Sequence, residues 1–205
     1  MARETKERLR AAVLAARHAR LSTRSSLDGA VPNLWPLVRE LSPGGTLAAY
    51  VARSDEPDPG PLAAAAGIRL LLPRLTGGGG LAWVLAGDSL VPGLRGTREP
   101  PGPAVRGGLA VADLVVVPAL AVDRAGVRLG RGGGSYDRAL GGVRAGVGVV
   151  ALLAADDELL DAGILPAEPH DVAVTLAATP SALHRLADLG SAAPSPAVPV
   201  SGPVS

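Results

Sequence analysis

The stretch from Asp113 to Leu140 constrains the fold of this chain more than any other part. It begins with the β-branched apolar run Leu114–Val117, which predicts a buried strand that stops at Pro118. The apolar patch that follows leads into Asp123 and a predicted turn at Gly126, since glycine adopts a positive φ at little cost. This order favours a fold built on a buried sheet.

A glycine-rich loop follows the turn. Four of the five residues from Gly130 to Gly134 are glycine, and ordering them costs backbone entropy. Such a loop occurs where the backbone approaches a ligand closely, often an anion, but its glycine content fits a flexible connection equally well. Arg128, Arg131 and Arg138 favour the anion, because guanidinium groups match phosphate oxygens.

The residues after the loop leave several roles open. Ser135 is predicted to cap a short helix that continues to Leu140. Tyr136 fits stacking on a ligand ring or packing in the core. Asp137 fits a salt bridge or a ligand for nucleotide-borne Mg²⁺, and Asp171 fits a turn cap or a second metal ligand.

The remaining sequence alternates predicted helices and strands. The spacing of apolar residues predicts helices over 4–20, 27–41, 62–66 and 181–189, and strands over 46–51, 68–72, 81–85, 146–153 and 172–176. This alternation predicts an α/β fold with a mostly parallel sheet flanked by helices. We expect one domain over residues 1–190 and a disordered Ala/Pro/Ser-rich tail over 191–205.

Composition narrows the classes of function. The 205 residues carry a net charge of +1, so the chain has no general attraction to nucleic acid or membranes. Cysteine is absent, which excludes thiolate chemistry, and the three histidines show no zinc-ligand spacing. The apolar runs fall short of the roughly 18 residues that a membrane span needs. We therefore expect a cytoplasmic protein without nucleic-acid or membrane partners.

Two basic residues in the first predicted helix lie one turn apart. Lys6 and Arg10 share a face, where like charges repel by a few tenths of a kcal/mol. The pair fits a solvated basic face or two cations that converge on a bound polyanion. Glu56 is a further candidate, because loops that follow strands in α/β proteins bind ligands.

A long motif runs across the opening stretch: Pro118-x-x-x-x-Asp123-x-x-Gly126-x-Arg128-Leu129-Gly130-x-Gly132-x-Gly134-x-Tyr136-Asp137. This motif resembles the signature of the 5-formyltetrahydrofolate cyclo-ligase family. Other elements agree in the same order along the chain: Lys6-x-x-Leu9-Arg10, Glu56, Glu99-Pro100 and His170-Asp171. The resemblance covers roughly residues 4–178. The chain departs from the family at Val122 and Ser135, where aromatic residues are usual.

The resemblance implies a three-layer sandwich, the cosubstrate ATP, the ion Mg²⁺ and the substrate 5-formyltetrahydrofolate. It assigns ATP binding to Lys6, Arg10, Arg128, Leu129, Gly130, Arg131, Gly132, Gly133, Gly134, Ser135 and Tyr136. It assigns folate binding to Val51, Glu56, Arg131, Gly132, Gly133, Gly134 and Ser135. Arg131 and Tyr136 are the predicted catalytic residues, and Asp137 and Asp171 the predicted metal ligands.

The implied reaction converts 5-formyltetrahydrofolate to 5,10-methenyltetrahydrofolate, with phosphorylation of the formyl oxygen and release of ADP and phosphate. A monomer or weak homodimer is expected. One alternative is a diverged relative that binds nucleotide or folate without turnover, because the missing aromatic at Ser135 removes a stacking partner for the pterin. Another, from fold class alone, is a sugar-phosphate or CoA-ester enzyme that uses the glycine loop for phosphate.

Overall fold

A computed structural model of the chain describes residues 2–23, 26–64, 67–169 and 171–186. Its α-helices are α1 (Ala2–Leu21), α2 (Trp35–Arg39) and α3 (Ser135–Leu140). Short 3₁₀ helices span Asp28–Leu34, Gly60–Ala64, Leu94–Gly96, Gly108–Val111 and Asp156–Glu158. The strands are β1 (Thr46–Ala48), β2 (Arg69–Leu75), β3 (Leu81–Leu85), β4 (Val91–Pro92), β5 (Arg98–Glu99), β6 (Leu114–Pro118), β7 (Ala121–Asp123), β8 (Arg128–Leu129), β9 (Gly148–Leu152), β10 (Leu159–Leu160), β11 (Leu176–Ala178) and β12 (Leu183–Arg185).

The main sheet has seven strands in the order β12-β11-β9-β6-β1-β2-β3. The five central strands run parallel, and β3 and β12 pair antiparallel at the two edges. The predicted α/β class with a mostly parallel sheet is therefore confirmed.

Within the described residues, no helix combines the length and the apolar character that crossing a membrane requires.

Both faces of this sheet are buried, which explains the unbroken apolar run in β6. Val115 and Val117 pack into one core with Leu71, whereas Leu114 and Val116 pack into another with Leu47. Successive side chains of a strand point to opposite faces, so a strand covered on both sides is apolar at every position. Helices and loops cover the two faces.

A smaller sheet, in the order β10-β7-β8, joins helix α1 to the glycine-rich loop. Leu9 and Val13 of α1 pack on the small core that contains Leu120 and Leu129. Because β8 leads directly into the glycine-rich loop, this packing fixes α1 beside the loop.

The carboxylate of Asp123, a residue of the motif, accepts hydrogen bonds from four backbone amides in and beside the small sheet. The side chain is fully buried, and Oδ1 accepts hydrogen bonds from the amides of Ala125 (3.1 Å) and Val127 (3.0 Å). Oδ2 accepts hydrogen bonds from the amides of Gly163 (3.1 Å) and Leu165 (3.4 Å). Four amide donors satisfy a carboxylate that burial would otherwise disfavour.

Several predicted elements differ from the structure. The helix predicted over 27–41 is split into a 3₁₀ helix and α2, in keeping with Pro32 and Pro36. The strand predicted to stop before Pro73 continues to Leu75. Beyond Leu71 only β3 pairs with β2, so Pro73 has no second neighbouring strand to bond with.

The final helix predicted over 181–189 is wrong within the described residues. Leu183–Arg185 forms β12 instead, antiparallel to β11, and residues 187–189 lie outside the described part. The Thr179 amide donates to the Ala182 carbonyl (2.9 Å), which closes a tight turn and makes a hairpin. Of the strand predicted over 172–176, only Leu176 lies in a strand, because β11 begins at that residue. The tail expected over 191–205 lies outside the described residues.

Candidate active site

A cavity of about 680 Å³ lies where the parallel strands β1, β2 and β6 end. Tyr50 and Val51 follow β1, Leu75 ends β2 and Pro118 ends β6, and all four residues line the cavity. Ligands in open α/β sheets bind at this carboxyl edge, and the volume is in the range of small-molecule sites.

The glycine-rich loop forms one wall of the cavity, and its glycines meet two different requirements. Gly132 and Gly134 have φ values of 94° and 63°, which side chains rarely adopt. At Gly130 a Cβ would lie 2.7 Å from Nη1 of Arg128, so a side chain there would displace that guanidinium. Because these glycines have no side chains, the loop backbone itself faces the cavity.

Lys6 and Arg10 both line the cavity, which agrees with the second of the two possibilities that their shared helix face left open. Lys6 is buried, and its Nζ lies 2.7 Å from Oε2 of Glu168 and 3.1 Å from Oδ2 of Asp171. Burial alone would lower the Lys6 pKa, but the hydrogen bonds to these two carboxylates outweigh it and raise the pKa. Arg10 donates from Nε to the Gly130 carbonyl (2.8 Å), which holds the loop against α1.

Arg131 reaches across to the loop that follows β1. Its Nη2 donates to Oδ1 of Asp55 (2.5 Å), and its Nε donates to Oε1 of Glu56 (2.8 Å). Burial would raise the Asp55 pKa, but the hydrogen bond and charge of Arg131 outweigh burial and lower it. The guanidinium therefore bridges the glycine loop and the carboxylates opposite.

Arg128, Asp137 and Tyr136 form a second group of polar side chains in the cavity wall. Nη2 of Arg128 donates to Oδ1 of Asp137 (2.6 Å), and its Cζ lies 5.6 Å from the centre of the Tyr136 ring. Nε of Arg128 is buried and has no partner among the described residues. Burial, with the nearby charge of Glu56, raises the Tyr136 pKa, so its hydroxyl stays protonated at neutral pH.

Two predicted binding residues have other surroundings than expected. Ser135 does not cap α3: it is the first helical residue, and its Oγ donates to the Gly79 carbonyl (2.6 Å). Leu129 does not line the cavity, because its side chain is buried in the small core below. The other predicted site residues all line the cavity, and their binding roles stay predictions.

The predicted metal ligands Asp137 and Asp171 lie on the cavity wall as partners of Arg128 and Lys6. Among the described residues, no three His, Cys, Asp or Glu side chains gather into a metal site. Oδ2 of Asp137 and Oδ1 of Asp171 accept no hydrogen bond from the described residues. His170, part of the same motif, lies outside the described residues.

The motif did not point to three residues that the structure brings to the site. Asp55 and Glu168 pair with Arg131 and Lys6 over separations of 76 and 162 residues, which local spacing cannot reveal. Arg17 is fully buried beneath the cavity. The sequence could have indicated Arg17 as a site residue, because Arg17 follows Arg10 by two helical turns on the same helix face.

Fold and cavity together define an α/β protein with a cationic, glycine-walled ligand site. Within that class, the chain belongs to the 5-formyltetrahydrofolate cyclo-ligase family, whose model matches residues 2–180. The predicted family membership is confirmed.

Two curated relatives match part of the chain. A 5-formyltetrahydrofolate cyclo-ligase from Mycolicibacterium smegmatis is 55% identical over 86 residues, which cover 42% of this chain and 43% of that protein. The mitochondrial 5-formyltetrahydrofolate cyclo-ligase of Arabidopsis thaliana is 37% identical over 76 residues, covering 34% of this chain and 27% of that protein. The matched segments thus span less than half the length of either relative.

Solved structures match over more of the chain. The NMR structure of 5,10-methenyltetrahydrofolate synthetase from Aquifex aeolicus has a TM-score of 0.70 at 27% identity, covering 89% of this chain and 93% of that one. A 5,10-methenyltetrahydrofolate synthetase from Mycoplasma pneumoniae has a TM-score of 0.60 at 19% identity, covering 84% and 97%. The latter match supports the fold alone.

Proposed function

We propose that this protein catalyses the ATP-dependent cyclisation of 5-formyltetrahydrofolate to 5,10-methenyltetrahydrofolate, with release of ADP and phosphate. The observation that carries the proposal is one cavity walled by the glycine loop and lined by Lys6, Arg10, Arg128 and Arg131. Family membership and the names of the relatives support the same reaction.

In the proposed reaction, the formyl oxygen takes the γ-phosphoryl group and ADP leaves. The neighbouring amine nitrogen then attacks the activated carbon, a C–N bond closes the ring, and phosphate departs with the former formyl oxygen while the amine loses its proton. Phosphoryl transfer of this kind depends on positioning and on cations more than on a protein nucleophile. The lack of cysteine is therefore compatible with it.

The chain's cations would have distinct tasks. Lys6 and Arg10, on one helix face, would bind the polyphosphate against the bare loop backbone. Arg131 would neutralise charge on the transferred group, because it lies in the loop that both ligands are proposed to contact. Val51 and Glu56, after β1, would contact the folate. Tyr136 stays protonated and would offer its ring and hydroxyl to the ligand.

The residues present fit a Mg²⁺ ion that enters with the nucleotide. Mg²⁺ at such sites takes one or two carboxylates together with substrate phosphates and water. Asp137 and Asp171 each have one oxygen without a hydrogen bond from the described residues, and we assign them this role. The ion would supply charge neutralisation on the phosphates.

The test is a turnover assay with ATP, Mg²⁺ and 5-formyltetrahydrofolate, in which the methenyl chromophore and ADP should appear together. Lys6→Met should lower kcat/KM by at least about tenfold, since a charged contact is worth about 1.5–3 kcal/mol. Arg8→Met, a matched change at an exposed position of the same helix, should leave it unchanged. Folded protein that binds both ligands without forming the chromophore would overturn the proposal and favour a binding protein.

A further inference from the structure

Arg17 is a cation that lies beneath the cavity without lining it. The side chain is 0% exposed, and together with Lys6 it is one of the two buried residues of α1. Full burial of a guanidinium is unusual and requires partners for its donors.

Glu158 neutralises this guanidinium. Nε of Arg17 donates to Oε1 (2.8 Å), and Nη2 donates to Oε2 (2.7 Å), so the pair is bidentate and fully buried. A bidentate pair fixes the plane of the guanidinium and therefore the direction of its other donors.

The remaining donors of Arg17 bind two backbone carbonyls from different elements. Nη1 donates to the Asp55 carbonyl (3.0 Å) and Nη2 to the Ala119 carbonyl (2.7 Å). Ala119 lines the cavity just beyond the end of β6. The guanidinium thus joins α1, the loop after β1 and the loop after β6.

The Asp55 carbonyl belongs to the turn that holds Arg131. The side chains of Asp55 and Glu56 both accept hydrogen bonds from the Arg131 guanidinium. The turn itself contains two hydrogen bonds, from the Glu56 amide to the Arg53 carbonyl and from the Arg53 amide to Oε2 of Glu56, both 3.1 Å. Loss of the Arg17 contact would free this turn on its inner side.

We propose that Arg17 is a positioning residue of the active site: through the Asp55 and Ala119 carbonyls it fixes the turn whose carboxylates orient Arg131. Its kinetic consequence rests on the proposed function, whereas its effect on the turn does not. A merely structural ion pair would stabilise the whole domain without acting on this turn in particular.

The test uses the double variant Arg17→Met/Glu158→Leu. Removing Arg17 alone would leave a buried carboxylate with only the more distant Arg20 (3.6 Å) and the Ala154 amide (2.8 Å) as partners, whereas replacing both partners by apolar residues is often tolerated. Arg20→Met is the matched control, since Arg20 lies on the same helix and pairs with Asp157 and, at 3.6 Å, with Glu158, but does not contact the two carbonyls.

The first measurement is amide hydrogen exchange in the ligand-free protein. In the double variant the amides of Arg53 and Glu56 should exchange about tenfold faster, while those of β6 and β9 keep their rates. Arg20→Met should change neither set. Unchanged rates at the turn, or a uniform increase across the domain, would overturn the proposal.

The second measurement is steady-state kinetics. The double variant should lower kcat/KM for both substrates about tenfold, from the loss of one charged hydrogen bond, because Arg131 is proposed to act on both ligands. The single variant Arg17→Lys, which keeps the charge opposite Glu158, should recover part of the loss. An unchanged kcat/KM would contradict positioning. If the wild-type protein shows no turnover, the proposed function fails, and hydrogen exchange alone decides the role of Arg17.

Discussion

At the scale of single residues, two of the cavity's cations, Lys6 and Arg131, are already neutralised by carboxylates of the chain. Lys6 pairs with Glu168 and Asp171, and Arg131 with Asp55 and Glu56. A polyanion that binds here must therefore displace or share these partners. Its net binding energy is the difference between two sets of ion pairs, not the sum of new contacts.

Asp55→Asn should tighten the binding of ATP alone by roughly two- to fivefold, because partly exposed ion pairs are worth up to about 1 kcal/mol. The change removes one charge that competes for Arg131 and keeps the backbone carbonyl that Arg17 holds. Calorimetry without folate measures it. Asp157→Asn, which removes a carboxylate from another arginine outside the cavity, serves as the control. Unchanged or weaker ATP binding by Asp55→Asn would contradict the idea that Asp55 competes with ATP for Arg131.

Ser135→Ala should lower the free energy of unfolding by about 1 kcal/mol, the usual net worth of one hydrogen bond. The hydroxyl joins the start of α3 to the Gly79 carbonyl, to which Arg138 also donates (2.7 Å). Ser22→Ala, whose exposed hydroxyl bonds only to the preceding turn, should cost less. Denaturant unfolding of both variants compares them, and equal losses would argue against a special role for Ser135.

At the scale of elements, sequence periodicity predicted what local physics determines. Helix α1 and strand β6 were predicted with nearly correct bounds, since a long helical pattern and a β-branched run each favour one structure. Residues 183–185 were predicted helical from their local sequence pattern, but the turn closed by Thr179 places them in a strand. Tertiary pairing overrode the local pattern there.

The candidate site was predictable to the extent that its residues are local in sequence. The loop Gly130–Gly134 and its flanking arginines form one continuous motif, and Lys6 with Arg10 share a helix face. Asp55 and Glu168 were missed because their partners lie in distant parts of the chain. Only the fold brings such pairs together.

Gly126→Ala should destabilise the protein well beyond the cost of its backbone conformation. Gly126 turns the chain between β7 and β8 with φ +88°, and an added Cβ would lie 2.6 Å from the Val174 carbonyl oxygen. Gly44 has a similar φ of +82° but open space around its Cβ position, so Gly44→Ala should cost only about 1–2 kcal/mol. Denaturant unfolding measures the loss of stability in both variants. Equal losses would show that the backbone at Val174 shifts easily to make room for the added Cβ.

At the scale of the whole molecule, carboxylates with lowered pKa values link separate parts of the fold. The amide of Thr46 in β1 and the charge of Arg144 outweigh burial and lower the Asp113 pKa. For Asp156, burial acts in the opposite direction, but hydrogen bonds from Ser181 and Thr179 prevail and lower the pKa. Together with Asp55, which pairs with Arg131 of the cavity wall, these groups connect the main sheet, the last hairpin and the site.

Because these folded-state pKa values lie below the ordinary 3.8, the stability that the carboxylates contribute is present above about pH 4 and is lost as pH falls through the lowered values. The free energy of unfolding should therefore fall between pH 5 and pH 3, since the unfolded chain takes up protons first. The triple variant Asp55→Asn/Asp113→Asn/Asp156→Asn should be less stable at pH 5 and flatter over this range. Asp161→Asn, at an exposed position, should keep the wild-type slope. Denaturant unfolding at the two pH values measures the slopes, and a triple variant as steep as the wild type would assign the acid sensitivity to other groups.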